Sequence, residues 1–194
     1  MVTPLRIVFF GTPQFAVPTL EAILASGHTL VGVVTQPDKP RGRGQKETDG
    51  PVKARAVQAG VPVFQPETLK DEAVREQLRV LQADIGVVAA FGKILSQAVL
   101  DIPRLGMINV HASLLPRWRG AAPVHRSVIA GDRTTGVTIM RVVKALDAGA
   151  MLATVERPIG DADTSNDVER DLATLGATLL VETLDRLEIG RAHV

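Results

Sequence analysis

The sequence predicts an α/β fold in which a mainly parallel sheet is covered by helices on both faces, and three observations point to it. Short, mostly apolar, β-rich runs recur at residues 5–10, 30–35, 61–64, 84–90 and 106–110. Runs without regular polar alternation suit strands buried on both faces. Segments with helical spacing of apolar residues lie between them, near residues 15–24, 52–59 and 67–81. Strand and helix patterns in alternation are what parallel strands joined by crossover helices produce.

Taken in order, the first run is closed by Gly11-Thr12-Pro13, after which Phe15, Val17, Leu20, Ile23 and Leu24 recur at roughly helical spacing. The second half changes character. Residues 136–143 and 150–157 are two strand-like runs joined by a short segment containing Asp147-Ala148-Gly149, so they either pair as a hairpin or flank a longer loop. Asp163-Thr164-Ser165 then offers helix caps ahead of Val168, Leu172, Leu175, Leu179 and Leu180, an apolar stripe expected to form a closing helix that ends near Gly190. There is no internal repeat and no low-complexity tract.

At 194 residues and 45% hydrophobic content the chain is long enough for one domain with a buried core. Its formal net charge is +1, from 22 basic and 21 acidic side chains, so any nucleic-acid contact must come from a local patch rather than from the overall field. The absence of cysteine excludes disulfides, thiolate-bound zinc and a thiol nucleophile. With no tyrosine and a single Trp118, a stacking platform for single-stranded bases lacks material. The apolar run after the first residues is too short for a signal-peptide core or a membrane span, so the expected location is the cytoplasm, and neither DNA nor a membrane is an expected partner.

Residues that could carry chemistry are few. Asn109-Val110-His111 is read as following directly on the fifth strand; side chains two apart share a face, so Asn109 and His111 can enter one crevice at the strand's carboxyl end, where open α/β sheets bind ligands. The proline-punctuated segment from Ala112 to Pro123 is placed to shape that pocket. Asp147 is a turn-forming aspartate unless the fold brings it beside His111; an Asp, a His and an Asn together would suit reaction at a carbonyl carbon. Residues 36–50 hold Pro37, Pro40, Gly42, Gly44 and Gly50 with Lys39, Arg41, Arg43 and Lys46 and show no apolar periodicity, which reads as a solvated loop or as a basic arm for a phosphate-bearing partner. The glycine patterns of dinucleotide and ATP sites and of serine hydrolases are missing. His28, His111, His125 and His193 have no metal-ligand spacing, so no metal is expected.

Several stretches resemble the methionyl-tRNA formyltransferases within the folate-dependent formyltransferase family. They are Phe10-Gly11-Thr12-Pro13, Thr35-Gln36-Pro37-Asp38, Gly42-Arg43-Gly44, Pro51-Val52-Lys53, Asn109-Val110-His111, Ser113-Leu114-Leu115-Pro116-Arg117-Trp118-Arg119-Gly120-Ala121-Ala122-Pro123, Gly136-Val137-Thr138-Ile139-Met140 and Leu146-Asp147-Ala148-Gly149, in order along nearly the whole chain. The resemblance implies a Rossmann-like, formyltransferase-type fold. It also implies formyl transfer from 10-formyltetrahydrofolate, as co-substrate, to the amino group of initiator methionyl-tRNA. It carries over Asn109, His111 and Asp147 as the catalytic set. Ser113, Leu114, Leu115 and Pro116 carry over as folate contacts, with Phe91, Gly92 and Ile94 as a second wall, and Arg41, Gly42, Arg43 and Gly44 as contacts to the tRNA.

Members of that family continue into a C-terminal β-barrel domain that helps hold the tRNA. The expectation here is a catalytic domain over residues 1–190, the start of a linker or tail at 191–194, and no such barrel. Within the basic loop, Glu47-Thr48-Asp49-Gly50 is more acidic than the resemblance leads one to expect. Two other readings stay open: a formyltransferase acting on glycinamide ribonucleotide or an amino sugar nucleotide, and a non-catalytic RNA- or nucleotide-binding α/β module.

Overall fold

The first strand, β1 (Arg6–Gly11), runs through the middle of the sheet, and its side chains alternate between two cores. Ile7 and Phe9 join one apolar cluster and Val8 and Phe10 the other, all 2% exposed or less. A computed structural model describes residues 4–38, 40–41, 46–47 and 49–188 of the chain. A strand buried on both faces needs helices on both sides, and the chain supplies them.

After β1 a single 3-10 turn (Gln14–Ala16) leads into α1 (Val17–Ala25); Pro18 in the first turn occupies a position where its missing N–H is no loss. Then follow β2 (Thr29–Val34), the two-residue strands β3 (Pro40–Arg41) and β4 (Lys46–Glu47), α2 (Pro51–Gln58), β5 (Val63–Phe64), α3 (Glu72–Val80) and β6 (Ile85–Ala89). The second half holds α4 (Gln97–Leu100), β7 (Met107–His111), α5 (Pro123–Ile129), β8 (Thr134–Arg141), β9 (Met151–Pro158) and α6 (Ser165–Glu188). The seven-stranded sheet has the order β5-β2-β1-β6-β7-β8-β9. Strands β5 to β7 are parallel, whereas β8 is antiparallel to both β7 and β9.

Several sequence-based boundaries need correction. The helix expected over residues 67–81 begins at Glu72, because the Asp71 side chain accepts the Ala73 N–H and caps it there. The loop over 36–50 contains the short β3–β4 ladder, and α4 and α5 occupy stretches the periodicity left unassigned. His111 lies inside β7 rather than beyond its end, since it pairs with Thr138 of β8. The alternatives for the last two strands both hold: β8 and β9 are neighbours, and the Asp147 loop lies between them. The expected end near Gly190 lies outside the described residues.

The strand order reverses about β1, since β2 lies on one side of it and β6 on the other. The carboxyl ends of β1 and β6 therefore flank a crevice of the kind in which open α/β sheets bind ligands. Helix α6 backs the adjacent part of the sheet, with Val168, Leu172, Leu180 and Leu184 fully buried. Gly176 permits that approach: a Cβ there would fall 2.8 Å from the Val110 side chain of β7. The other face is closed by Leu78 of α3 and by Val99 and Leu100 of α4.

Gly136 serves the same purpose between strands, because an added Cβ would lie 2.1 Å from the Val155 carbonyl oxygen and 2.6 Å from the Leu114 side chain. Gly136→Ala is expected to destabilise the fold by about 1–3 kcal/mol through overpacking. Urea unfolding measures this, and an unchanged midpoint would contradict the register of β8 on β9.

Candidate active site

Met107, Asn109 and His111 point to one face of the sheet, while Ile108 and Val110 pack into the opposite core with α6. Asn109 lies beside Val88 of β6 and across from Met140 of β8, half-buried, and its amide makes no hydrogen bond to another described residue. His111 is 6% exposed. Its Nε2 lies 3.1 Å from the carbonyl oxygen of Trp118, and its Nδ1 faces Asp147 Oδ2 across 3.8 Å. A carbonyl can only accept, so Nε2 carries a hydrogen and donates it. The gap on the Nδ1 side is longer than a direct hydrogen bond.

Asp147 is held by a second contact, the backbone N–H of Gly120, which donates to Oδ2 at 2.8 Å. Its backbone is left-handed, φ 45°, as are those of Trp118 (61°), Gly120 (83°) and Ala122 (52°). Non-glycine residues in that region cost of order 1–3 kcal/mol each and persist where surrounding contacts enforce them. The segment leading there is fastened by Thr138, whose hydroxyl donates to the Ser113 carbonyl at 2.7 Å and accepts from the Leu115 N–H at 3.1 Å. Ser113 is fully buried and its hydroxyl donates to the Arg117 carbonyl at 2.7 Å. Ser113 therefore braces the loop from within, while Leu114 and Leu115 are half-buried and Pro116 is exposed.

The stretch expected as a second wall, with Phe91, Gly92 and Ile94, follows β6. The Phe91 ring is 2% exposed and packs edge-on against Phe10 at 5.5 Å between centroids, so it belongs to the core. The Phe91 carbonyl accepts from Gln36 Nε2 at 2.8 Å and from Thr12 Oγ1 at 3.3 Å. Gly92 has φ 78° and would place a Cβ 2.4 Å from that Gln36 amide, so only glycine fits. Ile94, by contrast, is 90% exposed and offers apolar surface.

Of the basic arm, Gly42, Arg43 and Gly44 lie outside the described residues, and Arg41 is placed only as backbone in β3. At the base of the arm Lys53 pairs with Asp38 and, at 2.7 Å, with Asp49. The hydrogen bond from Lys53 holds the Asp38 carboxyl below its ordinary value.

Three participants escaped the sequence reading. The Trp118 carbonyl and the Gly120 N–H are backbone groups, which no residue-type pattern signals. Asp132, two residues before the start of β8, accepts the Trp118 indole N–H at 2.6 Å and both arms of the Arg117 fork at 3.1 and 2.6 Å. Nothing in the pattern around Asp132 distinguishes it from a turn aspartate. A cleft of about 320 Å³ lined by Gln14, Phe15, Pro18, Glu169, Arg170 and Thr174 lies on the α1–α6 side of the sheet, away from Asn109 and His111. Among the described residues no group of acidic, histidine or cysteine side chains has the arrangement of a metal site, and no helix is long and apolar enough to cross a membrane.

Thr138→Val leaves the buried Ser113 carbonyl and the half-buried Leu115 N–H without their partner, and is expected to cost about 1–3 kcal/mol; unchanged unfolding in urea would contradict the clasp. The Asp132 carboxyl sits below its ordinary value of 3.8, first through Arg117 and then through the Trp118 indole. The stability it contributes is therefore fully present above the unfolded carboxylate value and is lost as pH falls through the lower folded value. The stability gap between the parent and Asp132→Asn is expected to be constant above about pH 5 and to shrink on acidification below it. A gap that widens in acid would overturn this assignment.

A family model described as "Formyl transferase" matches residues 5–184. The methionyl-tRNA formyltransferase of Stutzerimonas stutzeri (strain A1501) is 55% identical over 190 residues, 98% of this chain and 60% of the relative. That of Moorella thermoacetica is 50% identical over 188 residues, 97% of this chain and 60% of the relative. The chain thus spans about 60% of the length of these relatives. Among solved structures, glycinamide ribonucleotide transformylase 1 from Symbiobacterium toebii superposes with a TM-score of 0.82 at 20% identity, covering 98% of this chain and 91% of that one. A formyltetrahydrofolate deformylase from Pseudomonas syringae pv. tomato str. DC3000 superposes with a TM-score of 0.78, also at 20% identity, covering 99% and 64%. At that identity the superpositions bear on the fold, and they agree with the expected formyltransferase-type architecture.

Proposed function

The chain belongs to the formyl transferase family, and from that premise we propose that it transfers the formyl group of 10-formyltetrahydrofolate to the amino group of initiator methionyl-tRNA. The observation that carries the proposal is the meeting of His111 and Asp147 at 3.8 Å, on the strand that also holds Asn109. The methionyl acceptor is supported by the names of relatives at 50–55% identity, where the solved structures that act on glycinamide ribonucleotide are far more distant.

In this reading the attacking amine bonds to the formyl carbon and the bond from that carbon to folate N10 breaks. One proton leaves the amine and N10 takes one up. The oxygen of the tetrahedral intermediate carries negative charge and is stabilised by donors already in place. The Asn109 amide, which bonds no other described residue, is one such donor; His111, whose Nε2–H is engaged by the Trp118 carbonyl, is the other when protonated, through its Nδ1–H and positive charge. Asp147, fixed by the Gly120 N–H, orients His111 and receives the proton of the amine directly or through water. Leu114, Leu115 and Pro116 form one side of the folate pocket, held in place by the buried Ser113. The Phe91 and Gly92 backbone with the exposed Ile94 form the other. Arg41, Gly42, Arg43 and Gly44 reach the tRNA phosphates, where guanidinium groups neutralise charge. The enzyme would work in the cytoplasm, where charged initiator tRNA is available.

A formylation assay with charged initiator tRNA and 10-formyltetrahydrofolate tests this, with glycinamide ribonucleotide as the competing acceptor. Asn109→Ala and His111→Ala are each expected to lower turnover by roughly a hundred- to a thousand-fold while leaving the unfolding midpoint close to the parent's. Near-parental rates in either variant would reject its catalytic role, and preference for the ribonucleotide would reject the acceptor.

A further inference from the structure

A hydrogen-bonded chain runs from Asp132 to His111 without Asp132 touching the crevice. The Asp132 carboxylate takes the Arg117 fork on one side and the Trp118 indole N–H, at 2.6 Å, on the other. The Arg117 guanidinium carbon lies 4.5 Å from the centre of the Trp118 ring. The indole is thus gripped at its edge by Asp132 and over its face by the cation that Asp132 itself holds. Trp118 has φ 61°, a conformation that a bulky residue keeps only when its surroundings impose it. That conformation presents the Trp118 carbonyl to His111 Nε2 at 3.1 Å.

We infer that Asp132 is a positioning residue for formyl transfer, acting through Trp118 to fix the tautomer and direction of the His111 ring. The inference rests on the role proposed above for His111. With the Trp118 carbonyl fixed, the hydrogen of the neutral ring stays on Nε2, and Nδ1 is the nitrogen that exchanges a proton on the Asp147 side. If the indole is released, the strained backbone relaxes, the carbonyl turns away and either nitrogen can carry the hydrogen. The reacting geometry is then populated only part of the time. Asp132 itself is 14% exposed at its side chain and meets no residue proposed to touch substrate, so its effect on the reaction passes through the indole.

Ring-nitrogen NMR on the full chain with labelled histidine reads the tautomer directly, and formylation kinetics read its consequence. The parent is expected to show His111 as a single Nε2–H form. Asp132→Ala and Trp118→Phe should each give a mixture of tautomers and lower kcat roughly tenfold to a hundredfold with little change in KM for the folate. Asp132→Glu should restore part of both. The double variant should be no slower than the slower single variant, because both cuts fall in the same chain. A His111 signal unchanged in folded Asp132→Ala, or losses that multiply in the double variant, would overturn the inference. Should Asp132→Ala fail to fold, the tautomer in Trp118→Phe decides in its place. A parent chain that forms no formylmethionyl-tRNA would sink the proposed function alone, since the tautomer measurement needs no turnover and still judges Asp132.

Discussion

The crevice depends on the antiparallel pairing of β8 with β7. Parallel strands return through helices, so a fully parallel sheet would send the chain away from the carboxyl end of β7 after each crossing. By running backwards, β8 places Thr138 opposite His111 and Met140 opposite Asn109. It then delivers the loop with Asp147 at one of its ends and Asp132 just before the other. The same register puts the Thr138 hydroxyl where it can clasp the Ser113 and Leu115 backbone. A slip of one residue would turn Thr138 to the α6 side and leave that backbone unpaired.

Around this frame the loop between β7 and α5 is held in a costly conformation by polar contacts rather than by apolar burial. Left-handed backbone at Trp118, Gly120 and Ala122, and at Asp147 opposite, bends the chain so that a carbonyl and an N–H turn inward. Each inward group meets a partner: His111 takes the carbonyl and Asp147 takes the N–H. Asp132 secures the outer edge through Trp118 and Arg117. Strain at such a place is offset by these contacts, and it fixes side chains that a relaxed loop would leave free to turn.

The parallel half of the sheet was legible in the sequence because its signal is local. The apolar runs of β1, β2, β6 and β7 and the stripe of α6 need no knowledge of the partner element. Asn109 and His111 could be paired from their spacing alone. Asp147 could be named by resemblance, but its distance to His111 is set by the β8 register, which no local pattern encodes. The site features that escaped are those made of backbone, or of a residue whose meaning is its partner: the Trp118 carbonyl, the Gly120 N–H and Asp132. Phe91 shows the converse. Its place in the expected second wall says nothing of where its ring lies; beyond the end of β6 the left-handed backbone at Ala90 breaks the alternation, and the ring enters the core against Phe10.

The central claim is that formyl chemistry takes place at the carboxyl ends of β6 and β7. Titrating tetrahydrofolate into the full chain while following assigned NMR signals tests it most directly. The account predicts shifts confined to the Asn109 side-chain amide, the His111 ring and the Ser113 and Leu115 N–H groups, with Gln14 and Thr174 of the α1–α6 cleft unmoved. Shifts gathered in that cleft, with Asn109 and His111 silent, would contradict it.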